Sequence, residues 1–138
     1  MKEDTGILLV EDDVVDVMAV KRAFKYLKVT NPLIVTANGE EALEYLRDEM
    51  NGKPGIILLD LDMPRMNGLE FLKVAKKDEA LKNIPVIVLM TSKEEQDRIN
   101  SLDLSVAGSM IKPVNYREFI EVVRTINLSW TIRESPEV

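Results

Sequence analysis

The 138-residue chain contains neither cysteine nor histidine. The first absence excludes disulfides and any thiolate metal centre. The second removes the commonest transition-metal ligand and the side chain most used for acid–base work near neutral pH. Any metal bound here should be a hard cation that takes oxygen ligands. Glycine and proline are sparse, six of each, whereas 46% of the residues are hydrophobic. That balance excludes a disordered chain, and the length fits one domain with no room for a second. No cluster of lysine and arginine breaks the formal charge of −6, so nucleic acid is a poor partner. No apolar stretch reaches bilayer-spanning length, and the opening Met1-Lys2-Glu3-Asp4 has no apolar signal core. A soluble cytoplasmic protein is the expectation, with proteins, cations or small phosphates as partners.

What the chain does have is four short apolar runs, each ending on a residue suited to phosphate or metal chemistry. Ile7-Leu8-Leu9-Val10 precedes Glu11 and Asp12, and Ile56-Ile57-Leu58-Leu59 precedes Asp60. Val86-Ile87-Val88-Leu89-Met90 precedes Thr91, and Met110-Ile111 precedes Lys112. As neighbouring buried parallel strands, the four would bring three acids, a hydroxyl and an ammonium to one edge. In open α/β sheets, that edge is where ligands bind.

Between the runs, apolar residues recur every three or four positions over Val14–Leu27, Glu40–Met50, Leu69–Lys77 and Tyr116–Ile126. With a further run at Leu33-Ile34-Val35, strand and helix alternate through five repeats, which argues for a parallel sheet with helices on both faces. Asn38, Asn67, Ser92 and Asn115 each stand three residues before a glutamate. This is the capping-box spacing, in which the cap side chain accepts a backbone N–H and the glutamate reaches back to the cap's own N–H. The helix over Glu94–Asp103 has only Ile99 and Leu102 as clear apolar contacts and should be the least firmly packed. The polar segment Arg133–Val138 should fray.

Adjacent acids directly after a buried run, as at Glu11-Asp12, are costly to hold together unless a cation compensates them. Oxygen ligands without His or Cys point to Mg²⁺, although an acidic turn can also cap the following helix. Asp60 follows a run too apolar for a stray charge, and a carboxylate beside Mg²⁺ can act as a nucleophile toward a phosphoryl group. A strand-end acid that only caps a loop is the plainer alternative. After it, Pro64 and Gly68 specify a rigid, tightly turned loop. Thr91 can donate to a phosphoryl oxygen or be an ordinary strand residue. Lys112 is a compact cation suited to a carboxylate or phosphoryl oxygen, and Pro113 follows it.

In order and spacing these motifs resemble the receiver domains of two-component response regulators: Leu9-Val10-Glu11-Asp12, Leu58-Leu59-Asp60 with Met63-Pro64 and Gly68, Val88-Leu89-Met90-Thr91-Ser92, and Ile111-Lys112-Pro113. The resemblance spans about residues 5–127. It implies a flavodoxin-like (βα)5 fold, a doubly wound five-stranded parallel sheet in the order 2-1-3-4-5, as in chemotaxis regulators. It further implies that Asp60 is the phosphoacceptor, that Asp12 and Asp60 bind Mg²⁺ directly and Glu11 through water, and that the backbone carbonyl of Asp62 supplies another ligand. Lys112 would pair with the phosphoryl group and Thr91 would move toward it. The donor would be a phosphohistidine on a sensor histidine kinase or phosphotransfer protein. Since only about a dozen residues follow the last helix, a stand-alone receiver acting through protein contacts is implied, rather than one joined to a DNA-binding domain.

The pattern departs from the family at Ser109, where receivers usually carry the aromatic residue that turns inward when the threonine moves. Asp62 and Lys93 flank the expected path of the hydrolytic water, where they could form a surface ion pair. The long Tyr26–Pro32 connection and the apolar Ile126-Asn127-Leu128-Ser129-Trp130 resemble the small regulators that partner bacterial phytochromes. In that subgroup the last helix and its extension contribute to homodimers, although Trp130 could equally fold back on its own domain. Two other functions compete: an aspartate-nucleophile phosphatase of the haloacid dehalogenase type using Asp60 and Asp62, and a phosphorylation-independent scaffold. The first fits poorly because Pro64 stands where that family has Thr or Val and the acid pair lies in mid-chain. The second fits poorly because all five site residues are retained.

Overall fold

The computed structural model describes residues 6–61, 67–102, 106–112, 115, 117, 118 and 121. Five strands form one parallel sheet: β1 (Ile7–Val10), β2 (Leu33–Thr36), β3 (Ile56–Asp60), β4 (Val86–Met90) and β5 (Gly108–Ile111). Their order across the sheet is β2-β1-β3-β4-β5, the doubly wound arrangement expected. The described helices are α1 (Val14–Tyr26), α2 (Gly39–Arg47), α3 (Gly68–Lys77) and α4 (Lys93–Leu102).

Successive side chains of a strand point to opposite faces, and a run that is apolar throughout therefore needs cover on both. The core divides accordingly. Leu8, Val10, Ile57, Leu59, Val88 and Met90 pack with Leu43 and Leu46 of α2, Phe71 and Leu72 of α3 and Ile99 of α4 on one face. Ile7, Leu9, Ile56, Leu58, Ile87 and Leu89 pack with Val20 and Phe24 of α1 on the other. All residues of β1, β3 and β4 are buried, whereas β5 is half-buried with an exposed end.

Helix starts follow the expected caps, with one difference. Asn38, Asn67, Ser92 and Asn115 each accept the N–H three residues on, from Glu41, Glu70, Glu95 and Glu118. Only at Asn67 does the glutamate return to the cap's own N–H. Glu41 and Glu95 reach one residue further, to the N–H groups of Ala37 and Thr91.

The helical pattern extended to Met50 breaks at Asp48. Its backbone is extended there, and its side chain accepts from Met50 N–H at 3.0 Å, starting a separate 3₁₀ turn at Glu49–Asn51. Leu102, read as an apolar contact of α4, is 38% exposed, which leaves Ile99 as the buried residue of that helix. Of the expected last helix, Arg117, Glu118 and Glu121 are helical, and the remainder lies outside the described residues, as does Trp130.

Candidate metal and phosphoacceptor site

Parallel register sets Val10 beside Leu59, Asp60 beside Leu89 and Met90 beside Ile111, so the carboxyl ends of β1, β3, β4 and β5 align. The Lys112 N–H donates to Met90 O at 2.8 Å, which continues the β4–β5 ladder by one residue and delivers the lysine to the same edge. These are backbone consequences of the sheet. They bring residues as far apart as Glu11 and Lys112 into contact.

Three consecutive acids follow β1, and each has its own task. Glu11 turns inward and is 2% exposed, with its N–H donating to Thr36 O at 2.9 Å. Asp12 is exposed. Asp13 is the N-cap of α1, its Oδ1 accepting from Val15 N–H at 2.8 Å. The cap of α1 is thus Asp13 rather than Glu11 or Asp12, and those two acids are grouped with Asp60 instead.

Asp60 is 3% exposed. Oxygens of Glu11, Asp12 and Asp60 lie within 4.8 Å of one another. Burial pushes the Glu11 carboxyl up to about 8, and Asp60 pushes it the same way, while the Lys112 ammonium pulls it down. A buried pair of carboxylates beside a single ammonium is short of positive charge. An all-carboxylate donor set of this kind fits a hard divalent cation such as Mg²⁺ or Mn²⁺. The fourth expected ligand, Asp62, lies outside the described residues, and so do Met63, Pro64 and Pro113.

Gly68 shows how the loop after Asp60 closes. Its N–H donates to Leu61 O at 3.1 Å. A Cβ at this position would lie 2.5 Å from both Asp60 O and Leu61 Cα. The glycine is therefore required by close backbone approach; Gly52 is the glycine with positive φ.

Lys112 Nζ lies 2.9 Å from Glu11 Oε1, 2.9 Å from Asp16 Oδ2 and 3.5 Å from Asp60 Oδ2. Burial opposes its charge, but the bond to Asp16 and then that to Glu11 more than offset this and raise its pKa. Thr91 sits at the end of β4, where its N–H donates to Glu95 Oε1 at 3.0 Å and its hydroxyl to the same oxygen at 2.5 Å. Ser109, in the place of the expected aromatic, accepts from Gln96 Nε2 at 3.4 Å. Asp16, Glu95 and Gln96 are the residues that motif reading passed over. For Glu95, the four-residue spacing from Thr91 was the available signal.

Residues 7–124 match the response regulator receiver domain family. Response regulator Rcp1 of Synechocystis is 36% identical over 128 residues, covering 90% of this chain and 87% of the relative. A Mn²⁺-bound form of Rcp1 superposes with a TM-score of 0.72 at 34% identity, covering 96% of this chain and 99% of that one. The bacteriophytochrome response regulator AtBRR superposes with a TM-score of 0.86 at 34% identity, covering 97% of this chain and all (100%) of that one. A phosphorylated cyanobacterial phytochrome response regulator, RcpA, gives a TM-score of 0.72 at 36% identity, covering 91% of this chain and 93% of that one. Matched by that family's model over most of its length and folded with the strand order 2-1-3-4-5, the chain belongs to the response regulator receiver domains of two-component systems, which are phosphorylated on an aspartate.

Proposed function

We propose that the chain is a phosphorylation-driven signalling module of one receiver domain. Asp60 is its acceptor, Glu11, Asp12 and the Asp62 carbonyl join Asp60 in holding Mg²⁺, and Thr91 and Lys112 respond to the phosphoryl group. The observation that carries this reading is the buried Asp60 carboxylate, grouped within 4.8 Å with two further acids and 3.5 Å from Lys112 Nζ. Mg²⁺ would supply charge neutralisation for carboxylates and phosphoryl oxygens brought into one small volume.

An Asp60 carboxylate oxygen attacks phosphorus, the donor's N–P bond breaks, and the imidazole leaves with the electron pair. The chain has no histidine, so that imidazole comes from another protein, a sensor histidine kinase or phosphotransfer protein. The bacteriophytochrome relative favours a phytochrome as the kinase. Lys112 then pairs with an oxygen of the phosphoryl group. Thr91 exchanges its bond to Glu95 for a phosphoryl oxygen and releases the first turn of α4. Because Gln96, next to Glu95, holds Ser109, that turn carries the change to β5 without an aromatic residue. Output passes through protein contacts in the cytoplasm, with homodimers formed by the last helix and Trp130.

Intact-mass analysis after incubation with Mg²⁺ and acetyl phosphate tests the reading. One added phosphoryl group, absent in Asp60→Asn and lost on chelation of the metal, is the expected result. Turnover of phosphate esters would favour the phosphatase, and an unmodified protein would favour the scaffold.

A further inference from the structure

Asp16 belongs to none of the receiver motifs, yet it is one of the two nearest partners of Lys112. It lies in the first turn of α1, 96 residues from the lysine in sequence, and its Oδ2 is 2.9 Å from Nζ. The other near partner, Glu11 Oε1, is also at 2.9 Å, and comes from the end of β1. We propose that Asp16 is a positioning residue for phosphotransfer: together with Glu11 it clamps the Lys112 ammonium so that its remaining N–H points at the acceptor.

An ammonium has three N–H donors arranged tetrahedrally. Two are taken at 2.9 Å, within the ordinary range for charge-assisted bonds, by carboxylates on different elements. The third is left for Asp60, whose Oδ2 stands at 3.5 Å, too far for a close bond. That gap suits an oxygen of a phosphoryl group, which extends beyond the carboxyl it is attached to. A lysine on its flexible four-carbon stem would otherwise sample many rotamers. Anchoring it from α1 and β1 settles its orientation before the donor arrives, which is how positioning lowers a barrier. The raised Lys112 pKa is consistent with this, because Asp16 contributes the largest of the effects favouring the charged form. Asp16 is 38% exposed, and pairs open to solvent contribute little.

The proposal rests on Asp60 being the acceptor. The test therefore has one arm that involves phosphate and one that does not. In the first, Asp16→Asn should slow phosphorylation by acetyl phosphate in Mg²⁺ roughly tenfold, in line with losses caused by small misplacements of a reacting group. In a Lys112→Ala background the same substitution should have no further effect, as for a residue that acts only through the lysine. Asp16→Glu, which keeps the carboxylate, should recover part of the rate. In the second arm, ¹H–¹⁵N spectra of the unphosphorylated protein should contain a slowly exchanging Lys112 ammonium signal, identified by its loss in Lys112→Arg. That signal should disappear in Asp16→Asn and return in Asp16→Glu. A wild-type rate in Asp16→Asn would overturn the proposal, as would an unchanged Lys112 signal or an equal rate loss in the Lys112→Ala background. Failure of the wild type to accept phosphate would instead sink the acceptor reading, with the spectra still deciding whether the clamp exists.

Discussion

The two ends of the active edge are built differently. At the acidic end, Glu11 and Asp60 are 2% and 3% exposed at the tips of strands that are buried throughout. At the Thr91 end, Thr91 is exposed, β5 is half-buried, and α4 has a single buried residue, Ile99. Phosphoryl transfer needs charges held in place by rigid packing, and a switch needs a segment whose alternative arrangement is not much higher in energy. On the proposed function, the chemistry lies where the sheet is best covered and the response where α4 adds least to the core.

The largest effect that tests this contrast is on chemistry. Asp60→Asn should abolish phosphorylation. It should also raise the melting temperature of the metal-free protein, because it removes one of two crowded buried carboxylates. A lower melting temperature, measured by calorimetry, would show that the acids are not in conflict.

Packing comes next. Leu58→Ala, at a fully buried position of β3 (0% exposed), should cost about 2–5 kcal/mol in urea unfolding. Hydrogen exchange of the wild type should give α4 amides a lower opening free energy than those of β1 and β3. Equal protection in α4 and β3 would erase the distinction between the two ends.

The third effect is on pH dependence. Glu11 is raised from 4.5 to about 8, burial being the main cause, so between these values the folded metal-free protein holds a proton that the unfolded chain has released. Stability from this group is complete below pH 4.5 and declines as pH rises toward 8. Melting temperature without metal should therefore fall across that window. Added Mg²⁺ should reduce the fall, since its charge replaces that of the proton. A Glu11→Gln variant with the wild-type slope would assign the effect elsewhere.

The smallest effects lie in the output end. Glu95→Ala removes the acceptor of both Thr91 donors and should shift the amide signals of α4 toward those of the phosphorylated protein, at a cost of about 1 kcal/mol. Phosphorylation by acetyl phosphate should change less than twofold. Gln96→Ala should leave the chemistry intact and weaken the phosphorylation-dependent shifts in β5. Undiminished β5 shifts would mean that the signal bypasses Ser109.

Much of this was legible in the chain. A run that is apolar at every position, such as Ile56–Leu59, has to be covered on both faces, and β1, β3 and β4 appear almost as their runs define them. The four caps work in the same way, because a side chain three residues from an N–H finds it by local geometry alone. Weaker local signals misled. The α2 pattern ran on to Met50 because periodicity does not register that Asp48 can cap a new turn. Leu102 read as core because hydrophobicity says nothing about whether a neighbour is there to cover it.

What the sequence alone determined is the set of buried strands, the caps that start the helices and the kinds of group at the strand ends, all of which depend on neighbours a few residues apart. The tertiary structure alone decided how those groups share their bonds: that Glu11 is buried, that Gly68 lies against Asp60, that Ser109 is held by Gln96, and that Asp16 grips Lys112 across 96 residues. An ammonium or a hydroxyl accepts any suitable partner within reach. Only the register of the sheet and the seating of α1 and α4 on it determine which partner that is.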